Sequence, residues 1–184
     1  LLDFLVGLLK VPSPTGFHEQ AIAYCKTAFS ELPLDLTRTR KGALVGTWQG
    51  ARDDAPRGLT AHIDTLGAMV CEVKSNGRLK LTQLGGWAWG SVEGEGVTIY
   101  THDGRAYRGT IIPCKASVHI YGSDAREFKR DENGYEVRID ARTTSADETR
   151  ALGIEVGDFV VFDPRVEVSD TGFIRSRHLD DKAG

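Results

Sequence analysis

Along the first part of the chain the apolar residues fall at spacings of three and four. Leu1, Leu5, Leu8 and Leu9 share one helical face, with Asp3 and Lys10 as its charged neighbours, so an amphipathic helix docked on a core is predicted there rather than a signal peptide. Val11-Pro12-Ser13-Pro14-Thr15-Gly16 ends it, because two prolines and a glycine do not continue a helix. Phe17, Ala21, Cys25, Ala28 and Leu32 then repeat the helical spacing, with Ile22 and Phe29 widening the stripe. This predicts a second helix from about Phe17 to Leu32, closed by Pro33.

The period changes after Pro33. Leu34, Leu36 and Leu44-Val45-Gly46-Thr47-Trp48 predict strands joined by a turn at Lys41-Gly42. Ala51 to Arg57 is a polar loop, and Gly58-Leu59-Thr60-Ala61-His62-Ile63, mostly apolar, predicts an internal strand. From about Gly67 to Phe162 short β-type runs alternate with glycine-bearing turns. The runs are Val70 to Val73, Leu79 to Leu84, Val97 to Tyr100, Thr110 to Ile112, Tyr135 to Ile139 and Asp158 to Phe162. The turns include Ser75-Asn76-Gly77, His102-Asp103-Gly104 and Glu132-Asn133-Gly134. Strands at this spacing predict a small β-barrel or sandwich. One helix is predicted inside it, over Ser145 to Gly153, from a serine cap, an acidic first turn and a glycine stop. The chain therefore reads as an α/β domain (1–66), an inserted β domain (67–162) and a return to the α/β domain (163–184).

Composition narrows the function classes. With 184 residues, 40% of them hydrophobic and 27% charged, the chain is an ordinary globular protein long enough for a real core. A net charge of −3 gives no special attraction to nucleic acid or an anionic membrane. The one basic cluster, Arg38-Thr39-Arg40-Lys41, reads as a solvated strand end or turn. No apolar run is long enough to span a bilayer. Cys25, Cys71 and Cys114 are odd in number, widely spaced and outside any metal-binding pattern. They predict reduced, mostly buried thiols in a cytoplasmic protein; the chain does not begin with Met, and secretion stays open.

Two short segments carry candidate chemistry. His62 and Asp64, two apart on an extended chain, point to the same side. At the C-terminal end of an internal strand that side opens into the usual ligand crevice of an α/β sheet. A metal-bound histidine needs a carboxylate or carbonyl on its other nitrogen, and Asp64 is placed to supply it. A histidine hydrogen-bonded at a strand end is the plain alternative. Asp180-Asp181 is the second segment. One carboxylate can bridge two cations that share a water, although adjacent side chains serve one site only if the backbone is distorted. A surface turn or a helix N-cap is the alternative here.

Together, Ala61-His62-Ile63-Asp64-Thr65-Leu66-Gly67 and Arg177-His178-Leu179-Asp180-Asp181-Lys182-Ala183-Gly184, separated by a β insertion, resemble the cobalt- or zinc-dependent aminopeptidases that include glutamyl, deblocking and tetrahedral aminopeptidases. Pro14-Thr15-Gly16, Leu84-Gly85-Gly86-Trp87 and Gly153-Ile154-Glu155-Val156-Gly157-Asp158 are similar to further family motifs, in order along essentially the whole chain. The resemblance implies a three-layer α/β/α zinc-peptidase domain with an inserted small β-barrel that serves as lid and dimerisation domain. It implies two divalent ions, Zn or Co, with His62 binding one and Asp180 bridging both. Asp64 is the catalytic-site carboxylate that orients His62, and the Asp180-Asp181 peptide is cis. It also implies hydrolysis of N-terminal residues from a peptide substrate, and a homo-oligomer in which dimers build to a dodecamer through the insertion. In the family the general base is the first of two adjacent glutamates beyond the Asp-Asp pair, and further ligands follow it. None lies within these 184 residues, so this chain alone is expected to bind zinc weakly and to hydrolyse no aminoacyl substrate.

Several positions depart from the family. His178 stands where a small residue is common, and is expected to be a neighbouring polar group rather than a ligand. Lys115 and His119 resemble a family element that has lost its proline, and are not placed at the metal. The segments Ile120-Tyr121-Gly122 and Asp140 to Thr144 differ from common members, so residue preference is not carried over. Two other readings are kept: an assembly module without catalysis, and a glucanase-like carbohydrate-active protein using Trp87 and Trp89 as a platform. No nucleophile elbow, phosphate loop or dinucleotide fingerprint is present.

Overall fold

A computed structural model describes residues 1–52 and 54–184. In chain order the elements are α1 (Leu2–Lys10), α2 (Glu19–Phe29), β1 (Asp35–Arg38), β2 (Leu44–Thr47), β3 (Gly67–Val73), β4 (Leu79–Leu84) and β5 (Gly96–Tyr100). There follow β6 (Ala106–Pro113), α3 (Val118–Tyr121), α4 (Asp124–Glu127), β7 (Tyr135–Ile139), α5 (Ala146–Ala151) and β8 (Phe159–Phe162). The chain closes with β9 (Glu167–Val168), β10 (Ile174–Arg175) and a broken turn α6 (Leu179–Lys182). Two compact units result, one of Leu1–Thr65 with Pro164–Gly184 and one of Leu66–Asp163.

In the first unit α1 and α2 share a small core of Leu8, Ala21 and Cys25, against which Phe4, Tyr24, Phe29, Leu44 and Ile63 pack. The apolar stripes read from the sequence are buried in their middle, at Leu8, Leu9, Ala21, Ile22 and Cys25, whereas Leu1 and Leu32 at their ends are exposed. α2 stops at Phe29, short of the predicted Leu32, because the Ser30 hydroxyl bonds the Thr27 carbonyl and Pro33 disfavours helical geometry before it. β1 and β2 form an antiparallel hairpin, with Gly42 at φ 94° in its turn, a backbone region that glycine adopts without a Cβ penalty. β9 and β10 form a second, two-residue ladder.

Gly58 to Ile63 departs from expectation. It carries no ladder among the described residues, and Leu59 is fully exposed. An apolar run becomes a strand only where another strand supplies its hydrogen bonds. Here the nearby chain is tied instead to the loop after α1. Thr65 N–H donates to the Ser13 carbonyl at 2.8 Å, the Ser13 hydroxyl to the Ile63 carbonyl at 2.7 Å, and Pro14 bridges Thr65 in parallel.

The second unit is a closed barrel in the order β3-β4-β7-β6-β5-β8, every neighbouring pair antiparallel. Closure leaves no unpaired sheet edge. Its interior is filled by Val70, Leu79, Leu81, Val97, Ile99, Ile111, Val137, Val160 and Phe162, the alternate positions of each strand. Ser145 caps α5 by accepting the Glu148 N–H, and Gly153 ends it at φ 82°. Asp158 closes the Gly-Ile-Glu-Val-Gly-Asp segment: its carboxylate accepts the His102 N–H at 3.1 Å and the Glu155 N–H at 2.8 Å. The short helices α3 and α4, and a 3-10 turn at Trp89–Val92, were not predicted. At one turn each they carry too little periodicity to read.

The chain is thus α/β with a small β-barrel inserted in its sequence. Of the cysteines, Cys25 is buried, Cys114 is half-buried and Cys71 is exposed, where mostly buried thiols were expected. Cys71 sits at the bulge of β3, between Val70 and Glu72, where the ladder register shifts.

Candidate active site

The described residues bring His62, Asp64, Asp180 and Asp181 together in the first unit. The loop after α1 sets the first pair. Ser13, Pro14 and Thr15 hold residues 63–65 by the backbone bonds above, and the Thr15 hydroxyl donates to Asp64 Oδ2 at 2.7 Å. The other carboxylate oxygen, Asp64 Oδ1, lies 3.2 Å from His62 Nδ1, and the Asp64 carbonyl lies 3.1 Å from the same nitrogen. Both neighbours of Nδ1 are acceptors, so Nδ1 is placed to donate, and a neutral ring with its proton there keeps the lone pair at Nε2.

Nε2 faces Asp180 Oδ1 at 3.2 Å. Asp181 Oδ2 receives the His62 backbone N–H at 3.4 Å, and the Asp180-Asp181 peptide is cis. Both aspartates therefore meet one residue, although they are adjacent in sequence. The alternative of a helix N-cap is not realised, since Asp180 and Asp181 are non-helical within α6 and the N-cap position is His178. Asp180 is 95% exposed at its side chain and His62 is 56% exposed, so solvent screens their attraction. Partial burial pulls the imidazole pKa down. The Asp64 carbonyl and the charges of Asp64, Asp180 and Asp181 outweigh it, and the net displacement is upward.

Lys182, the next residue, turns inward. It is buried, and its ammonium donates to the carbonyls of Leu8 at 3.0 Å and Val11 at 2.7 Å. Burial pulls it down to about 8, against the opposing pull of Cys25. This anchors the C-terminal side of the Asp pair to the end of α1. A cavity of about 620 Å³ adjoins the cluster, with Phe4, Leu8, Ile22, Phe29 and Leu44 on its apolar wall and His62, Asp64 and Asp181 at its polar side.

The donor chemistry suits a borderline divalent ion, one imidazole nitrogen beside a carboxylate oxygen. Two ligands about 2.0–2.1 Å from one Zn²⁺ at the tetrahedral angle stand roughly 3.3 Å apart, and the His62–Asp180 pair meets that spacing. The pair fits as part of a metal site. No group of three or more His, Cys, Asp or Glu poised for a metal occurs among the described residues. His178 is buried and its backbone N–H donates to Ser176 Oγ at 3.2 Å. Lys115 pairs with Asp124 at 2.6 Å in the second unit. Sequence reasoning missed Thr15 and Lys182 as parts of the cluster, and named Asp181 only as one of the adjacent pair, without its bond to the His62 backbone. Thr15 lay inside a quoted motif, but nothing local indicates that its hydroxyl reaches Asp64.

Trp87 and Trp89 do not form an open platform. Trp89 is buried, its ring 5.7 Å from Tyr135, and Trp87 packs edge-on to Trp89 at 4.7 Å and to Phe162 at 5.2 Å. The Trp87 indole N–H is taken by the Gly67 carbonyl. Faces spent on the barrel core are not available to a sugar ring.

Residues 42–184 match the family described as M42 glutamyl aminopeptidase. The chain is 45% identical over 182 residues to the protein named "Putative aminopeptidase YhfE" of Bacillus subtilis (strain 168), covering 99% of this chain and 52% of that protein. The crystal structure of the TET aminopeptidase from the marine sediment archaeon Thaumarchaeota archaeon SCGC AB-539-E09 superposes with a TM-score of 0.81 at 26% identity, covering 93% of this chain and 47% of that one. The Pyrococcus horikoshii TET1 peptidase, described as able to assemble into a tetrahedron or a large octahedral shell, shares the fold. Its TM-score is 0.73 at 20% identity, over 98% of this chain and 52% of that one. The chain spans about half the length of these proteins. It belongs to the M42 glutamyl aminopeptidase family.

Proposed function

We propose that the family-length protein carrying this chain is a metal-dependent aminopeptidase that removes N-terminal residues from peptides. The observation that carries this reading is His62 held between Asp64 and Asp180, in a chain of an aminopeptidase family. His62 would hold one ion and Asp180 would be shared between two. The chemistry that two bound Zn²⁺ or Co²⁺ ions supply is a shared water of lowered pKa and a polarised scissile carbonyl.

The chain's own residues prepare that site. Asp64 is placed to hold the Nδ1 proton, so that Nε2, facing Asp180, is the nitrogen offered to an ion. Asp181 holds the His62 backbone, and Lys182 ties the following turn to α1. One histidine and one carboxylate fall short of the three protein ligands typical of a catalytic zinc, so the 184-residue chain by itself does not sustain turnover. The protein works as a homo-oligomer, dimers building to a dodecamer through the barrel, in keeping with the fold it shares with the TET1 peptidase. Exposed Ile120, with Val118 and Tyr121, supplies apolar surface on that unit. The reading keeps the cytoplasm as its location, from the thiol usage of the sequence. No described helix is long and apolar enough to cross a membrane.

The test is hydrolysis of aminoacyl-p-nitroanilides by the family-length protein before and after chelation. Activity lost on metal removal and restored by Zn²⁺ or Co²⁺ supports the reading. Activity indifferent to chelation, with no metal bound, overturns it.

A further inference from the structure

We infer that Thr15 is a positioning residue: through its hydroxyl it fixes the Asp64 carboxylate, and through Asp64 the ring of His62. The inference rests on the reading of His62 as a metal ligand. Asp64 has two oxygens with different neighbours. Oδ2 accepts the Thr15 hydroxyl at 2.7 Å, and Oδ1 faces His62 Nδ1 at 3.2 Å. A carboxylate is planar, so the bond at Oδ2 sets the plane in which Oδ1 meets the imidazole. Without it the exposed carboxylate turns freely about its last torsion, which is broad and nearly two-fold, and only the Asp64 carbonyl, 3.1 Å away, still holds Nδ1.

Thr15 is itself held independently of Asp64. Its N–H donates to the Thr65 carbonyl at 3.3 Å, the adjacent Pro14 bridges Thr65, and the buried Ser13 bonds residues 63 and 65. The hydroxyl therefore arrives from backbone already bonded to both sides of Asp64. Each link from Thr15 to Asp64 to His62 Nδ1 leaves Nε2 directed at Asp180. Partners behind metal ligands change affinity by about 10–100-fold, and a group one step further back is expected to change it by about three- to tenfold.

The test uses the 184-residue chain, with Thr15→Val and Thr15→Ala removing the hydroxyl and Thr15→Ser restoring it. Two quantities are read by NMR. One is the His62 ring tautomer and ring order, from ¹⁵N shifts and ¹³C relaxation, metal-free and with the ring neutral. The other is the affinity for Zn²⁺ alone, from titration of the same signals. Amide spectra report the fold of each variant. The expected result is an ordered Nδ1–H ring in the wild type and in Thr15→Ser. Thr15→Val and Thr15→Ala should show a less ordered ring, a smaller Nδ1–H fraction and three- to tenfold weaker Zn²⁺ binding. Should Thr15→Val fail to fold, Thr15→Ala carries the comparison. A folded hydroxyl-free variant with wild-type tautomer, order and Zn²⁺ affinity overturns the inference and leaves the metal reading intact. The converse separates them too: a ring loosened by loss of the hydroxyl, with no Zn²⁺ bound by the family-length protein, upholds the positioning role and removes the metal reading.

Discussion

Nε2 of His62 stands 3.2 Å from Oδ1 of Asp180, with the opposite nitrogen of the same ring held by Asp64. The imidazole is thus fixed at one nitrogen and offered at the other. In the family-length protein, Asp180→Ala is expected to lower turnover by more than about a hundredfold, since loss of a partner behind a ligand alone costs 10–100-fold. Steady-state kinetics and metal content check this. Turnover retained within about tenfold would remove Asp180 from the bridging role.

The 184-residue chain alone is expected to release no N-terminal residue from aminoacyl or dipeptide substrates, with or without added Zn²⁺ or Co²⁺. The reason is donor number, because typical catalytic zinc sites use three protein ligands. Metal-dependent release by the purified chain would sink this expectation and require ligands other than His62 and Asp180.

Glu136 offers a stability prediction in the barrel. It is buried and ion-paired to Lys74 and Arg78. Burial pushes its carboxyl up, but the two cations outweigh this, and the net displacement is downward from 4.5. A carboxylate with a depressed folded pKa stabilises fully above its unfolded value, and that contribution is lost as pH falls through the folded value. Glu136→Gln is expected to cost about 1–3 kcal/mol at neutral pH, the lower end reflecting partly exposed cations. Urea unfolding followed by circular dichroism should show the gap to wild type narrowing below pH 4.5. A gap that widens in acid would contradict the assignment.

The packed tryptophan pair gives a fourth. Trp87 and Trp89 are packed on each other and on the barrel core, so oligosaccharides are expected to leave the Trp emission unchanged. A saturable shift abolished by substituting Trp87 would restore the carbohydrate reading.

Six barrel strands were legible because their signals are local, alternation within each run and glycine at each tight turn. β4 and β7 fall on the predicted residues, and β3, β5, β6 and β8 extend or trim theirs by a few. Gly58 to Ile63 misled for the same reason. Its apolar run resembles a buried strand, yet strand formation depends on a neighbour that its own residues do not specify. The candidate site was legible as residue types and spacing. His62-Ile63-Asp64 announces itself on a single extended segment, but the bond from Thr15 to Asp64 joins loops far apart in the chain, and no period or motif encodes it.

By itself the sequence determined the helical and strand segments whose side chains alternate or repeat, the β insertion, and the kinship carried by its His-Ile-Asp and Asp-Asp motifs. Only the tertiary structure decided that the barrel closes, that one imidazole nitrogen is held while the other faces Asp180, and that Lys182 turns beneath the Asp pair to the end of α1. Local periodicity follows from the geometry of consecutive residues. Which distant polar atoms meet follows from how the buried faces pack, a property of the folded chain as a whole.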